Sequence, residues 1–199
     1  MTRSIILASG SETRKAMLQQ AGVEFTSMLA RIDEENIKAS LVAEEATPRD
    51  IADTLAEFKA RRVANKHTDA LVIGSDQVLE FGREILSKPT SPEDAIAQLT
   101  KLSGKSHKLL SAVVIYQEAK PVWRTVGQVR LTMRVLSPDY IEGYVARNWD
   151  DIRHSVGSYQ LEAEGARLFA RVDGDYFTVL GMPLLDVLGF LTMSGAIDG

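Results

Sequence analysis

A chain of 199 residues with 45% hydrophobic and 25% charged side chains has the make-up of a globular protein, which excludes a disordered one. Its net charge of -4 gives no basic footprint for a nucleic-acid duplex, although a few converging cations can still hold a polyphosphate. Cysteine is absent, which removes disulfides, thiolate metal sites and cysteine nucleophiles together.

Short apolar runs alternate with helical patterns along the chain, which predicts an α/β fold. Residues 4–8 read as a first strand entering the polar loop Ser9-Gly10-Ser11, and 12–21 as a helix with Gly22 just past its end. A second strand is expected at 24–29. Thr47-Pro48-Arg49-Asp50 starts a helix: threonine caps, proline suits the first turn and aspartate suits the positive helix end. Ile51, Leu55 and Phe58 then recur at helical spacing. Residues 70–74 form a compact apolar strand whose carboxyl end carries Asp76. Phe81-Gly82-Arg83-Glu84 reads as a hairpin turn, and Ser91-Pro92-Glu93-Asp94 as a further helix start. Two long strands are expected at 107–116 and 122–135, and a helix from Ser137-Pro138-Asp139. Residues 168–172 and 176–180 flank Asp173-Gly174 in the manner of a hairpin, and 183–193 closes the chain as a helix. No repeat or linker interrupts it, so the expectation is one domain, 1–199, whose lobes share a continuous chain.

No apolar stretch approaches the ~20 residues that cross a bilayer, and the apolar run 5–8 near the start is too brief for a signal peptide. The expected location is cytoplasmic, with neither membrane nor duplex nucleic acid as partner.

Chemistry concentrates in a few places. A small-residue loop entering a helix exposes backbone N–H donors suited to phosphate, and Ser9, Ser11, Arg14 and Lys15 add hydroxyls and charge there. An ordinary βα turn with a serine cap fits the same residues, and the spacing matches neither a Walker loop nor a dinucleotide fingerprint. In Gly74-Ser75-Asp76-Gln77, a carboxylate at a strand end can hold Mg²⁺ or activate water, or merely cap a turn. Asp33-Glu34-Glu35 reads as a solvated acidic loop or a metal site. Lys59 and Lys88 are ordinary surface residues when taken singly, and His67, His107 and His154 lack metal-binding spacing.

In this order, Leu7-Ala8-Ser9-x-Ser11, Asp33-Glu34, Lys59, Gly74-Ser75-Asp76, Lys88-Pro89, Leu102-Ser103-Gly104-x-x-His107, Gly157-Ser158-Tyr159 and Gly174-Asp175-Tyr176…Gly181-Met182-Pro183 resemble the Maf family of septum-formation-inhibitor-like nucleotide pyrophosphatases. The resemblance spans Leu7 to Pro183 and is specific as a set, although each motif alone is common. It implies a two-lobed α/β fold, like that of Maf and inosine triphosphatase proteins, with a mixed, curved sheet and a central cleft. It also implies hydrolysis of a nucleoside triphosphate to monophosphate and diphosphate with Mg²⁺ or Mn²⁺. Asp76 would be the general base and a metal contact, and Glu34 a second metal carboxylate. Ser9, Ser11, Arg14, Lys15, Lys59 and Lys88 would bind the triphosphate. Members are often homodimers.

Two departures stand out: Glu12 replaces the family's usual proline, and Lys15 its second arginine, keeping charge but losing the planar fork. Branches of the family differ at positions matching Thr13, Gln77 and Glu162. Gln77 and Glu162 resemble the branch acting on 7-methylguanosine triphosphate, whereas Thr13 fits neither that branch nor the one acting on thymidine and uridine triphosphates. Two other functions stay open: a nucleotide-binding cell-division inhibitor without turnover, and a triphosphatase of inosine-type nucleotides.

Overall fold

A computed structural model describes residues 4–198. Residues 1–3 and 199, part of the expected 1–199 domain and of the chain start, lie outside the described residues. The chain is α/β and divides into two compact units. Unit 1 comprises Met1–Gln77, Ser111–Gly127 and Tyr176–Gly199, and unit 2 comprises Val78–Leu110 and Gln128–Asp175.

Unit 1 begins with β1 (Ile5–Leu7), three buried apolar residues that pair in parallel with β2 (Thr26–Ser27) and with β3 (Leu71–Phe81). The crossover between β1 and β2 is α1 (Glu12–Gln20), capped by Ser11 as expected and followed by Gly22 at φ +74°. Helix α3 (Pro48–Ala64) starts where Thr47-Pro48 predicts, with the Thr47 side chain accepting from the Asp50 N–H. Its small residues press on the sheet. A Cβ on Gly74 of β3 would stand 2.2 Å from the Ala56 carbonyl oxygen, so only glycine lets α3 lie this close. The unit's core gathers Leu7, Leu18, Ile73, Ile115, Met182 and Leu191, the last on α7 (Leu184–Met193).

Three expectations are corrected here. Asp33-Glu34-Glu35 is not a loop: Asp33 caps α2 (Glu34–Ala43), a helix that buries none of its residues and so shows no apolar stripe to read. Asp76 does not sit at a strand end, because β3 continues unbroken through Ser75, Asp76 and Gln77 into Val78-Leu79. Residues 176–180 do not form a strand. Tyr176–Val179 is the short helix α6, whose Thr178 and Val179 carbonyls accept from Gln77.

In unit 2 the end of β3 folds back on β4 (Glu84–Leu86) around Gly82 at φ +65°, with Phe81 opposite Glu84. Helices α4 (Pro92–Leu102) and α5 (Pro138–Ile152) carry the expected serine caps, Ser91 and Ser137. The two long strands, β5 (Ser106–Gln117) and β6 (Lys120–Met133), are divided between the units, and Glu118 and Ala119, both at positive φ, the tight-hairpin geometry, join them in unit 1. A 3₁₀ turn (Glu164–Leu168) leads into β7 (Phe169–Asp173), antiparallel to β6. Among the described residues the sheet order is β2-β1-β3-β5-β6-β7, with β4 on β3, a mixed sheet.

Two of the motif segments meet inside unit 2. His107 is 2% exposed, and its Nε2 lies 2.7 Å from the Tyr159 hydroxyl, with both rings against Phe169. Burial pushes the imidazole down to about 4. The folded chain therefore keeps His107 neutral where the unfolded chain, with a pKa near 6.5, already binds a proton. Stability is complete above that value and falls as the pH drops toward 4, by about 2 kcal/mol at pH 5. Urea unfolding of the wild type and His107→Gln at pH 7.5 and 5 checks this. The wild type should lose more stability between the two, and equal losses would exclude His107 as the source.

Candidate active site

A buried charge cluster in unit 1 is built from three elements. Asp76 comes from the middle of β3, Lys59 from α3 and Glu34 from the first turn of α2. The Lys59 Nζ lies 2.6 Å from Asp76 Oδ1 and 3.1 Å from Glu34 Oε2. Both members of the Lys59–Asp76 pair have side chains only 10% exposed, whereas Glu34 is 47% exposed. The buried pair is positioned by the close approach at Gly74, one turn of α3 from Lys59 on one side and two residues from Asp76 on the other.

The serine loop is held from behind. Arg14, buried, donates from Nε to the Gly181 carbonyl at 2.9 Å and from Nη1 to the Ser75 carbonyl at 3.1 Å and the Ser9 hydroxyl at 3.5 Å. Ser75 Oγ donates to the same Gly181 carbonyl at 3.0 Å. Ser9 Oγ accepts from the Ser11 N–H, and the Ser9 carbonyl accepts from Ser27 Oγ. Arg14 is thus a clamp on backbone carbonyls, which keeps the loop's N–H groups in place. Burial lowers its guanidinium below the ordinary value, and the charges of Asp76 and Glu34 oppose that shift.

Lys15 pairs with Glu12 at 2.7 Å, so the two departures from the family pattern come as one ion pair. Gln77 Nε2 is committed to the chain, donating to Ser111 Oγ at 2.9 Å and to the Thr178 and Val179 carbonyls at 3.1 and 2.9 Å. This ties β3 to α6. Thr13 is half-buried on α1. Lys88 and Glu162 belong to unit 2: Lys88 is exposed beyond β4, beside buried Pro89, and Glu162 is exposed ahead of the 3₁₀ turn. Ser9, Ser11, Arg14, Lys15, Lys59, Glu34 and Asp76 all belong to unit 1.

Lys38 was not marked by any motif. It is half-buried on α2, one helical turn after Glu34, and it feels the charges of Asp76 and Glu35, which oppose the lowering of its pKa by burial. The i, i+4 spacing from Glu34 was its only signal, and that spacing has meaning only once α2 is known to be a helix.

Asp76 and Glu34 offer hard oxygens converging on one cation, a donor set that fits Mg²⁺ or Mn²⁺. Among the described residues no group of three or more His, Asp or Glu forms a cage. Water, or oxygens of a bound anion, would complete such an ion's shell.

Comparison with known proteins gives this geometry its context. The family described as "Maf-like protein" matches residues 4–194. The chain belongs to the Maf-like protein family. This Maf-like protein is 60% identical over 198 residues, the full length of both chains, to a nucleoside triphosphate pyrophosphatase of Ruegeria pomeroyi. It is 55% identical over 198 residues, again all of both chains, to the protein of the same name from Ruegeria sp.. Over 199 residues, all of both chains, it is 47% identical to a 7-methyl-GTP pyrophosphatase of Brucella abortus. The clamped serine loop and the Asp76–Lys59–Glu34 cluster are this Maf-like protein's version of the motifs on which the resemblance rests.

Proposed function

We propose that this protein is a cytoplasmic nucleoside triphosphate pyrophosphatase that uses a divalent cation and acts on 7-methylguanosine triphosphate or another modified nucleotide. The observation that carries the chemistry is the buried Asp76 carboxylate, fixed by Lys59 beside a second carboxylate in the same unit as a clamped phosphate-type loop. The reaction class is supported by full-length relatives at 55 and 60% identity that bear that name. The guanine preference is supported by the name of the 47% relative and by Gln77 and Glu162.

Phosphoryl transfer depends mainly on positioning and charge neutralisation. Asp76 Oδ1 is held by Lys59, which leaves Oδ2 to take the proton of a water as its oxygen attacks phosphorus. The anhydride bond between the α- and β-phosphorus breaks, and diphosphate departs with its charge held by lysine ammonium groups and backbone N–H donors. An ammonium has three donors, so Lys59 can hold both carboxylates and still reach a phosphate oxygen. Ser9 and Ser11 order the loop donors, and Arg14 keeps that loop on β3. Lys15 and Lys88 supply further charge, their role resting on motif resemblance. A bound Mg²⁺ or Mn²⁺ would neutralise phosphate charge, with Asp76 and Glu34 as its protein ligands.

A panel of nucleoside triphosphates with purified protein, read by diphosphate release, tests the reading. Methylated guanosine triphosphate should give the highest kcat/KM. Release from none of them would sink the hydrolase and favour a nucleotide-binding division inhibitor; preference for inosine triphosphate would favour the inosine-type triphosphatase.

Glu162 is proposed to read the base. A carboxylate can accept from the adjacent N1–H and N2–H₂ donors of guanine, whereas thymine and uracil set carbonyl acceptors against it. Hydrogen bonds to charged groups contribute about 1.5–3 kcal/mol, so Glu162→Gln should lower kcat/KM on the guanine substrate roughly 10- to 150-fold. The loss on uridine triphosphate should be much smaller. Equal losses on both nucleotides, or a wild-type preference for uridine or thymidine triphosphate, would remove Glu162 from base recognition.

A further inference from the structure

Unit 1 carries a pocket of about 370 Å³ between the start of α2 and the last turns of α3. Its wall on α3 is the stripe Phe58, Arg61, Arg62 and Asn65, spaced i, i+3, i+4 and i+7. The stripe of α3 that faces β3 is a different one, made of Ala52, Ala56, Lys59, Ala60 and Val63, all buried. The pocket is therefore separate from the Lys59–Asp76 pair, although both use the same helix. Arg31, Ile32 and Ile37 complete it from the other side.

The lining has a definite chemical character. Three arginines, Arg31, Arg61 and Arg62, line it together with the apolar Ile32, Ile37 and Phe58. Arg61 lies over the Phe58 ring at 4.6 Å, a cation–π contact that extends a flat surface. Arg31 and Arg62 make no ion pair among the described residues. Asp33 is the pocket's single carboxylate, and both its oxygens already accept from Asn36, the backbone N–H at 3.2 Å and the side-chain amide at 2.5 Å. The lining thus sets three arginines against one carboxylate, a local positive excess in a chain of net charge -4. Arginine forks suit phosphate, an apolar and aromatic wall suits a ring, and the volume lies within the roughly 300–1,000 Å³ of small-molecule sites.

We propose that this pocket is a second ligand site, which takes a phosphorylated small molecule with an aromatic body, a nucleoside monophosphate being the representative. The phosphate sits on Arg31 and Arg62, and the ring packs along the Phe58–Arg61 stack and the two isoleucines. Asn65 offers an amide that can both donate to and accept from a base edge. Occupancy would also touch Asp33, the cap of the helix that begins with Glu34, so the site is placed to act on the carboxylate cluster through α2.

Calorimetric titration of the full chain with AMP and GMP, in the absence of any triphosphate, tests the proposal. Binding should weaken about 10- to 150-fold in Arg31→Ala/Arg62→Ala, the range expected for losing charge-assisted hydrogen bonds. Arg31→Lys/Arg62→Lys should recover part of it, and thermal unfolding of both variants should match the wild type. Absence of saturable binding, or binding unaffected by the alanine pair, overturns the site. Equal affinity for inorganic phosphate or ribose 5-phosphate overturns the nucleotide as its ligand. Because no turnover is read, this outcome is independent of whether the chain hydrolyses triphosphates.

Discussion

Asp76→Asn is expected to cut diphosphate release by about 10²–10⁴-fold, the usual loss on removing a general base, while leaving the fold intact. The substitution is nearly isosteric, and the amide oxygen can still accept from Lys59, which now lies 2.6 Å from Oδ1. Glu34, 3.1 Å from the same ammonium, continues to balance its charge. What disappears is the second oxygen's ability to take a proton. The loss should therefore fall on kcat, with KM changed far less. A variant that keeps most of its turnover would show that another group activates the water.

The second large effect concerns the proposed divalent ion. Two carboxylates and a polyphosphate leave an ion held only in part by the protein, so excess chelator should abolish turnover, and Mg²⁺ or Mn²⁺ should restore it. Glu34→Gln should raise the concentration of ion needed for half-maximal rate, since one anionic ligand is lost while Asp76 remains. Full activity of metal-stripped protein in chelator would contradict the assignment of Glu34 and Asp76 as ligands.

Helix starts were legible because their causes are local. Ser11, Thr47, Ser91 and Ser137 each accept from the N–H three residues on, and in three of the four a proline follows at once. The hairpin at Gly82 was legible for the same reason. What stayed hidden depends on partners distant in sequence. Ser75 and Gln77 break the apolar pattern of β3 and mimic a turn, but their hydrogen bonds go to Gly181, Ser111, Thr178 and Val179. Asp76 could be marked as a candidate from its motif; its place in mid-strand could not. Helix α2 was obscured because it lies outside the core and carries no apolar stripe. Residues 176–180 looked like a strand because nothing nearby shows that β7 pairs with β6 instead. The carbonyl clamp of Arg14 was hidden because it depends on a residue 167 positions away.

That last separation has a consequence for how the protein is born. Chains emerge from the ribosome amino terminus first, and early segments begin folding as they appear. Every charged group of the unit 1 cluster has been synthesised by Asp76, yet the carbonyl that fixes Arg14 and Ser75 arrives only at Gly181. A nascent or prematurely terminated chain would hold the acid, the lysine and both serines without the brace that aligns them. That brace is made only once Gly181 has been added and has folded back onto β3.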